Sequence, residues 1–383
     1  MHHFEFASAP RIVCKPGASM ELAAHCAILG IRRPLLVTDA PLLATGLLDP
    51  VIASLEAAGL AAQVFSDVQP DPPEAVVVDC AQQARACGAD GVIGFGGGSS
   101  LDVAKLIAVM LRSSGVLSDY FGVDQIVGQR APLVLVPTTA GTGSEVTPIS
   151  IITTGESTKA GVVSPKLLPD LAVLDAGLTL GLPPAVTAAT GIDAMVHAIE
   201  AFTSLHRKNA YSDMLAREAL SLLSANLVEV VHNGGNREAR SHMLLGSMLA
   251  GQAFANAPVA AVHALAYPLG GHYHISHGLS NSLVLPHVLR FNAPQAAARY
   301  AELLPCIGVA ASGDVAADCA TFIACIDALI EAVQLPVRLR DLGIAEADLP
   351  MLAEDAMQQQ RLLVNNPRPV TQDDALSIYR QAY

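Results

Sequence analysis

One aspartate and three histidines carry the atoms that transition metals bind, and their spacing places the first two on one face of a helix. Asp193 and His197 stand four residues apart in TAATGIDAMVHAIEAFTS, which predicts an amphipathic helix. His263 lies in the apolar stretch APVAAVHALAYPLGG, and His277 opens HGLSNSLVLPH. Nitrogen and carboxylate ligands without cysteine disfavour a structural thiolate zinc site and fit Fe²⁺, Zn²⁺, Mn²⁺ or Ni²⁺.

The plainer interpretation of these residues is chance. The chain has 12 histidines, so a pair of the form D-x-x-x-H arises easily. His272, His274 and His287 crowd the same region as His263 and His277, which favours a metal site without saying which histidines ligate.

A glycine-rich turn is the second feature with chemical meaning. In GVIGFGGGSSLDVAK, residues 91–105, an apolar run predicts a buried parallel strand, Gly96–Gly98 a tight turn, and SLDVAKLIAVM a helix with Ser99 or Ser100 as its N-cap. Backbone N–H groups and the helix dipole favour a phosphate at such a turn. The spacing is neither G-x-G-x-x-G nor a Walker loop, and an ordinary strand-to-helix turn is the alternative.

A second loop follows the next apolar strand. In PLVLVPTTAGTGSEVTPISIITT, residues 133–136 read as a buried strand and run into a segment of glycines, threonines and serine. Such a loop could wrap a sugar or phosphate edge, although alone it is more often just a loop.

Five segments together resemble one protein family. They are GGGSSLDVAK (96–105), PTTAGTGSEVT (137–147), LPDLAVLDAGLTLGLP (168–183), TGIDAMVHAIEAFTS (190–204) and HALAYPLGGHYHISHG (263–278). In order and spacing they resemble the iron-containing (group III) alcohol dehydrogenases, which share their fold with glycerol dehydrogenase and dehydroquinate synthase.

The resemblance implies roles for individual residues. Asp193, His197, His263 and His277 match the metal ligands, with Fe²⁺ expected and Zn²⁺ as the alternative. NAD is the implied cofactor. The positions implied to bind it are Gly97, Gly98, Ser99, Asp102, Thr138, Thr139, Thr142, Ser144, Lys159 and Leu178.

Asp39 follows the strand-like run RPLLVT and bears on the choice of cofactor. A carboxylate there can accept the ribose hydroxyls of NAD and would repel the 2′-phosphate of NADP. In relatives, an acid at the matching place goes with NAD preference. The alternative is a helix N-cap or turn residue.

Tyr267 departs from the family pattern, because many relatives have histidine at this place, near the nicotinamide. Tyrosine has a reference pKa of about 10 against about 6.5 for histidine, so it cannot replace that histidine as a base near neutrality. Tyr267 is a candidate catalytic residue that donates a hydrogen bond to substrate; the alternatives are a packing residue or neither role.

Composition narrows the partners and the compartment. The net charge of −13 argues against nucleic acid and anionic membrane surfaces, and the most apolar stretch is interrupted by Asn256, Pro258, His263 and Pro268. Seven cysteines without a C-x-x-C pair or a secretory signal predict reduced thiols in the cytoplasm. The expected partner is a small alcohol or carbonyl substrate, and relatives suggest a homo-oligomer, a dimer above all.

The order of predicted elements indicates an α/β fold. Strand-like runs at 35–38, 62–65, 92–95, 133–136 and 149–153 alternate early on with helical stretches at 49–59, 73–87 and 100–111. From about residue 184 the pattern is helical, at 185–204, 210–230, 238–254 and 314–333. We therefore expect a Rossmann-like, NAD-binding parallel-sheet domain over 1–181 and an all-helical, metal-binding domain over 182–383.

The expected reaction is hydride transfer between NAD(H) and a small alcohol, aldehyde or ketone, with the metal acting as a Lewis acid on the substrate oxygen. Alternatives on the same scaffold are a hydroxyacid-oxoacid transhydrogenase-like enzyme and a dehydroquinate synthase-like lyase. The lyase is disfavoured, because the helical half offers few basic residues near the histidines. A metallohydrolase would work without nicotinamide.

Overall fold

The computed structural model describes residues 3–113, 115–155 and 158–383, and this part of the chain divides into two compact units. One unit contains residues 7–139 and 143–180 and is built around a parallel sheet. The other contains residues 181–383 together with the short segments 3–6 and 140–142, and its elements from 181 onward are helical.

The described residues form nine strands. They are β1 (Ile12–Cys14), β2 (Pro34–Val37), β3 (Gln63–Phe65), β4 (Gly91–Gly96), β5 (Gly122–Val123), β6 (Leu133–Pro137), β7 (Ile149–Thr154), β8 (Thr158–Val163) and β9 (Leu171–Leu174). Six of them form one sheet in the order β1-β9-β6-β4-β2-β3, and every pairing in it is parallel. The predicted parallel-sheet domain is confirmed.

The helices of the described residues are α1 (Leu22–Leu29), α2 (Ala40–Ala44), α3 (Asp49–Ala57), α4 (Glu74–Ala86), α5 (Gly98–Met110), α6 (Pro184–Thr203), α7 (Ala210–His232), α8 (Arg237–Asn256), α9 (Ala261–Tyr273), α10 (His277–Leu303), α11 (Val315–Ala332), α12 (Leu349–Ala356), α13 (Gln360–Leu363) and α14 (Gln372–Ala382). Among these, no helix is long and apolar enough to cross a membrane. The helical character of the C-terminal half is confirmed.

Alternate residues of the central strands enter two different cores, which explains why these strands are apolar throughout. On β6, Leu133 and Leu135 pack with the helices α4 and α5, whereas Val134 and Val136 pack with α1 and α3. Side chains of a strand point to opposite faces in turn, so a sheet covered on both faces needs apolar residues at every position.

One predicted strand lies outside the parallel sheet. The run at 149–153 forms β7, which pairs antiparallel with β8 in a separate three-stranded sheet, ordered β5-β8-β7. In its sequence ISIITT, Ser150 and Ile152 stand two residues apart and are buried, whereas their neighbours are partly exposed, as expected for a strand with one buried face. The parallel strands β1 and β9 were not among the predicted runs.

Candidate functional site

The four predicted metal ligands lie together in the helical unit. One ligand atom from each of Asp193, His197, His263 and His277 falls within 4.8 Å of all the others. The Asp193 Oδ1 atom lies 3.5 Å from Nε2 of His277 and 3.9 Å from Nε2 of His197. Three of the residues are buried, whereas the side chain of His277 is 37% exposed, so the cluster has one solvent-accessible side.

Helix geometry explains how distant sequence positions meet here. Asp193 and His197 share a face of α6, His263 lies in the first turn of α9, and His277 is the first residue of α10. Close packing of α10 on α6 depends on Gly278, because a Cβ at this position would lie 2.3 Å from the backbone oxygen of Ala189. That close approach brings His277 next to Asp193.

Two of the histidines are oriented by hydrogen bonds that their Nδ1 atoms, which point away from the cluster, donate to other residues. The Nδ1 of His197 donates to the backbone oxygen of Gly141 at 3.2 Å, and the Nδ1 of His263 donates to Glu200 at 2.7 Å. An Nδ1–H donor leaves the lone pair on Nε2, which is the nitrogen that faces the cluster. The ring of His197 also stacks on the ring of Phe254, with 4.3 Å between the ring centroids.

Glu200 was missed by sequence reasoning. Its buried carboxylate accepts hydrogen bonds from His263 and from the backbone N–H groups of Ala260 (2.9 Å) and Val262 (2.7 Å), at the start of α9. Glu200 follows His197 by three residues on α6, so helical spacing was the available signal. A carboxylate behind a histidine ligand fixes the tautomer and the orientation of the ring.

Burial and charge set the protonation states that a metal needs. Burial lowers the pKa of His197 to about 3, against the attraction of Asp193, so this ring is neutral near pH 7. Burial alone would raise the pKa of Asp193, but the three histidines and the amide of Asn281 together lower it. A carboxylate and neutral imidazoles are the ligand forms of these side chains, so the set fits a divalent transition metal.

Tyr267 lies on α9 at the edge of this cluster. Its ring centroid is 6.0 Å from that of His277, in a tilted arrangement. This position keeps Tyr267 a candidate for contact with a substrate. His272 and His274 do not belong to the cluster; His272 pairs instead with Asp355 on α12.

The glycine turn and its neighbours lie at one edge of the parallel sheet, in the other unit. Residues 38–39, 97–100 and 138–139 follow the carboxyl ends of β2, β4 and β6, which are adjacent in the order β6-β4-β2. The chain passes from β2 outward to β3 and returns to β4 on the other side of β2. The strand order therefore reverses between β2 and β4, and such a switch point is where open α/β sheets bind nucleotides.

The turn itself leaves the first amides of α5 uncapped. The N-cap is Gly97, and no side chain caps this end, so the expected N-cap at Ser99 or Ser100 is wrong. These serines are the second and third residues of the helix, which begins at Gly98. A Cβ on Gly96, which has φ +154°, would lie 2.8 Å from Ser100, so the approach is close. The free N–H groups of Gly98 and Ser99 suit a pyrophosphate.

Asp39 has a local structural role as well as a suitable place. It is the N-cap of α2, where its Oδ1 accepts the Leu42 N–H at 2.8 Å. Its second oxygen has a long contact with the Ser100 hydroxyl at 3.4 Å. Oδ1 of Asp39 therefore caps the helix, as the alternative interpretation expected. Oδ2 lies beside the glycine turn.

Asp102, Ser144 and the buried Lys105 form one hydrogen-bonded network. The Ser144 hydroxyl donates to Asp102 at 2.6 Å, and Nζ of Lys105 donates to Ser144 (2.7 Å), Thr147 (3.1 Å) and the Ile149 carbonyl (2.6 Å). Burial lowers the pKa of Lys105, which Asp102 counteracts. This network fastens the loop after β6 to α5, so Asp102 and Ser144 hold these two segments together.

The remaining predicted cofactor residues are dispersed over neighbouring elements. Thr138 donates its N–H to the Gly96 carbonyl at 3.0 Å, and Thr139 lies beside Gly97. Thr142 belongs to the helical unit. Lys159, on β8, pairs with Asp71 at 2.5 Å, and Leu178 is buried in the core between the sheet and α1 and α3; Lys159 and Leu178 thus have structural partners of their own.

Comparisons with known proteins identify the family of this chain. A family model described as "Iron-containing alcohol dehydrogenase" matches residues 9–176, and one described as "Fe-containing alcohol dehydrogenase family, C-terminal" matches residues 187–383. The chain belongs to the iron-containing alcohol dehydrogenase family. The resemblance stated from the five segments is confirmed, and the chain is an oxidoreductase of this type.

Individual relatives match over nearly their whole lengths. The long-chain-alcohol dehydrogenase 1 of Geobacillus thermodenitrificans (strain NG80-2) is 41% identical, over 98% of this chain and 97% of its own. A crystal structure of 1,3-propanediol oxidoreductase superposes with a TM-score of 0.96 at 35% identity, covering 100% of both chains. A sulfoacetaldehyde reductase from Bifidobacterium kashiwanohense, solved in complex with NAD+, gives 0.90 at 29% identity, covering 100% of this chain and 99% of that one.

Proposed function

We propose that this enzyme interconverts a small alcohol and its aldehyde or ketone with NAD(H), using a divalent metal held by Asp193, His197, His263 and His277. The observation that carries the proposal is the cluster itself, in which four ligand atoms lie within 4.8 Å of one another. Iron is the metal that the family's description favours, and the same donor set accepts zinc. A metal there would supply Lewis acidity to the substrate oxygen, and the dinucleotide would exchange the hydride.

The residues of the helical unit fix the reacting geometry before any substrate arrives. Gly141 and Glu200 hold the tautomers of His197 and His263, so that neither imidazole has to reorient. A small substrate would reach the metal from the exposed side of the cluster, past His277 and the nearby ring of Tyr267. Preorganised ligands of this kind lower the cost of reaching the transition state.

The sheet unit is the proposed dinucleotide site. The uncapped N-terminus of α5 would take the pyrophosphate, and the second oxygen of Asp39 would accept from the ribose hydroxyls. A carboxylate at this place disfavours the phosphate of NADP. The NAD+ complex of the sulfoacetaldehyde reductase supports the choice of NAD for this chain.

The decisive experiment measures metal content and NADH oxidation together. Anaerobically purified protein with Fe²⁺ is assayed with short aldehydes, ketones and 2-oxo acids, each against a metal-stripped sample. We expect His263→Ala to lose bound metal and turnover together. His272→Ala, on the same helix but outside the cluster, is the matched control and should keep both.

Three results would contradict the proposal. Full turnover in His263→Ala would show that the cluster is not the reaction site. Hydrolytic activity that persists without nicotinamide would indicate a metallohydrolase instead. Metal and NADH bound without oxidation of NADH would favour the lyase or a transhydrogenase that keeps its cofactor.

We also propose that the enzyme works in the cytoplasm as a homodimer. All seven cysteines are free thiols, which suits a reducing compartment. Size-exclusion chromatography with light scattering tests the oligomeric state, and a monomeric mass for the active enzyme would refute the dimer.

A further inference from the structure

Asn281 lies against the ligand atoms of the metal cluster. It is on α10, four residues after His277, and its side chain is fully buried. Its amide nitrogen donates to the Asp193 Oδ1 at 2.6 Å and lies 3.4 Å and 3.3 Å from Nε2 of His263 and His277. One amide group therefore touches three of the four candidate ligand atoms.

The other end of this amide contributes no hydrogen bond to the fold. Asn281 Oδ1 is buried and has no partner among the residues that the structure describes. A buried acceptor without a partner costs free energy, so the side chain is not explained by stability alone.

Asn292, farther along the same helix, shows what a structural asparagine looks like here. It is also buried, but it exchanges two hydrogen bonds with Asn366, at 3.0 Å and 2.7 Å, so that both ends of its amide are used. At Asn281, by contrast, every hydrogen bond of the side chain goes to the ligand cluster.

We propose that Asn281 is a positioning residue of the metal centre, which holds the Asp193 carboxylate in its ligating orientation. The proposal rests on the metal site of the proposed function. An amide nitrogen has two N–H donors and no lone pair to offer a metal, so in the observed orientation Asn281 acts on the ligand and not as one. Because a carboxylate oxygen can accept a hydrogen bond and still bind a metal, the two interactions are compatible.

The consequence is a contribution to metal affinity. With its Oδ1 fixed between His197 and His277, Asp193 does not have to be ordered when the metal binds. Removing the amide frees the carboxylate to rotate. Outer partners of metal ligands typically change affinity by about 10–100-fold.

The test is calorimetric titration of metal-free protein with Zn²⁺ at fixed pH, for the wild type, Asn281→Ala, Asn281→Leu and Asn292→Ala. Leucine keeps the branched shape of asparagine, with a larger volume, and removes its hydrogen bonds, whereas alanine removes them with a smaller volume. We expect the Kd for Zn²⁺ to rise about 10–100-fold in both Asn281 variants. Asn292→Ala should lower the melting temperature of the metal-free protein and leave the Kd unchanged.

Each result decides something. An unchanged Kd in a folded Asn281 variant would overturn the proposal while leaving the metal site intact. Tighter binding would also overturn it, by showing that the amide competes with the metal. A wild type that does not bind Zn²⁺ would overturn both this proposal and the metal site on which it rests.

Discussion

Replacing Glu200 with glutamine tests whether the carboxylate behind His263 matters for the metal centre. The change keeps the shape of the side chain and removes one acceptor oxygen and the charge. Glu200 accepts the Val262 N–H on Oε1, and it accepts the Ala260 N–H and His263 on Oε2. Glutamine has a single oxygen, so at least one of these donors must face an NH₂ group.

The expected loss follows from these three bonds. If the glutamine oxygen takes the place of Oε2, the bond from Val262 is lost, at about 1.5–3 kcal/mol for a hydrogen bond to a charged group. The two retained bonds become neutral and weaken by about 1 kcal/mol each. We therefore expect the free energy of unfolding of the metal-free protein to fall by about 3.5–5 kcal/mol. We expect the Kd for Zn²⁺ to rise about 10–100-fold.

Urea unfolding followed by circular dichroism measures the first quantity, and calorimetric titration the second. Glu229→Gln is the matched control, because Glu229 also accepts two side-chain hydrogen bonds but lies exposed on α7. Its unfolding midpoint and metal affinity should equal those of the wild type. A Glu200→Gln protein with wild-type stability and affinity would refute the reasoning about the carboxylate.

Three further changes test other parts of the molecule. Asp39→Gly should narrow the ratio of kcat/KM for NAD over NADP by about five- to tenfold, as measured by steady-state kinetics, because the charge that repels the 2′-phosphate is gone. Lys105→Met should raise the Kd of NADH about tenfold in a fluorescence titration, because the cofactor loop loses three hydrogen bonds, and about 1.4 kcal/mol suffices for this factor. Gly278→Ala should lower the free energy of unfolding by about 1–3 kcal/mol in urea, because its Cβ would press on the Ala189 carbonyl.

Each of these three predictions has an outcome that would contradict it. An unchanged cofactor ratio would leave Asp39 as an N-cap only. Unaltered NADH binding in Lys105→Met would mean that the loop keeps its place without the lysine. Gly181→Ala, where the added carbon meets no atom within 4 Å, is the control for Gly278, and equal effects of the two would refute the packing explanation.

The sequence predicted four strands of the parallel sheet at their places along the chain, and it offered the four candidate ligands. The spacing of Asp193 and His197 predicts that they share one face of a helix. Short apolar runs bounded by turn residues predict the four strands. His263 and His277 could be assigned only through the family resemblance, because nothing local brings α9 and α10 to α6. The roles of these residues, and of the cofactor residues, stay predictions until metal and NADH binding are measured.

Other features lay beyond the sequence for physical reasons. The hydrogen bond from His197 to Gly141 joins residues 56 positions apart through a backbone carbonyl, which carries no mark in the sequence. α5 begins at Gly98 with Gly97 as its N-cap, a residue without a side chain to cap the helix, so the serine rule for N-caps failed there. β7 was assigned to the wrong sheet, because pairing partners are not encoded in a strand's own pattern.

The hydrogen bond from His197 to the Gly141 carbonyl also limits where the chain can be divided into separate fragments. Residues 140–142 belong to the helical unit, although the chain on both sides of them belongs to the sheet unit. A gene fragment beginning at residue 181 would encode all four ligands and still lack the acceptor that orients His197. The metal centre is therefore not a transferable module, and recombination of the two halves with foreign partners would have to carry this three-residue insertion along.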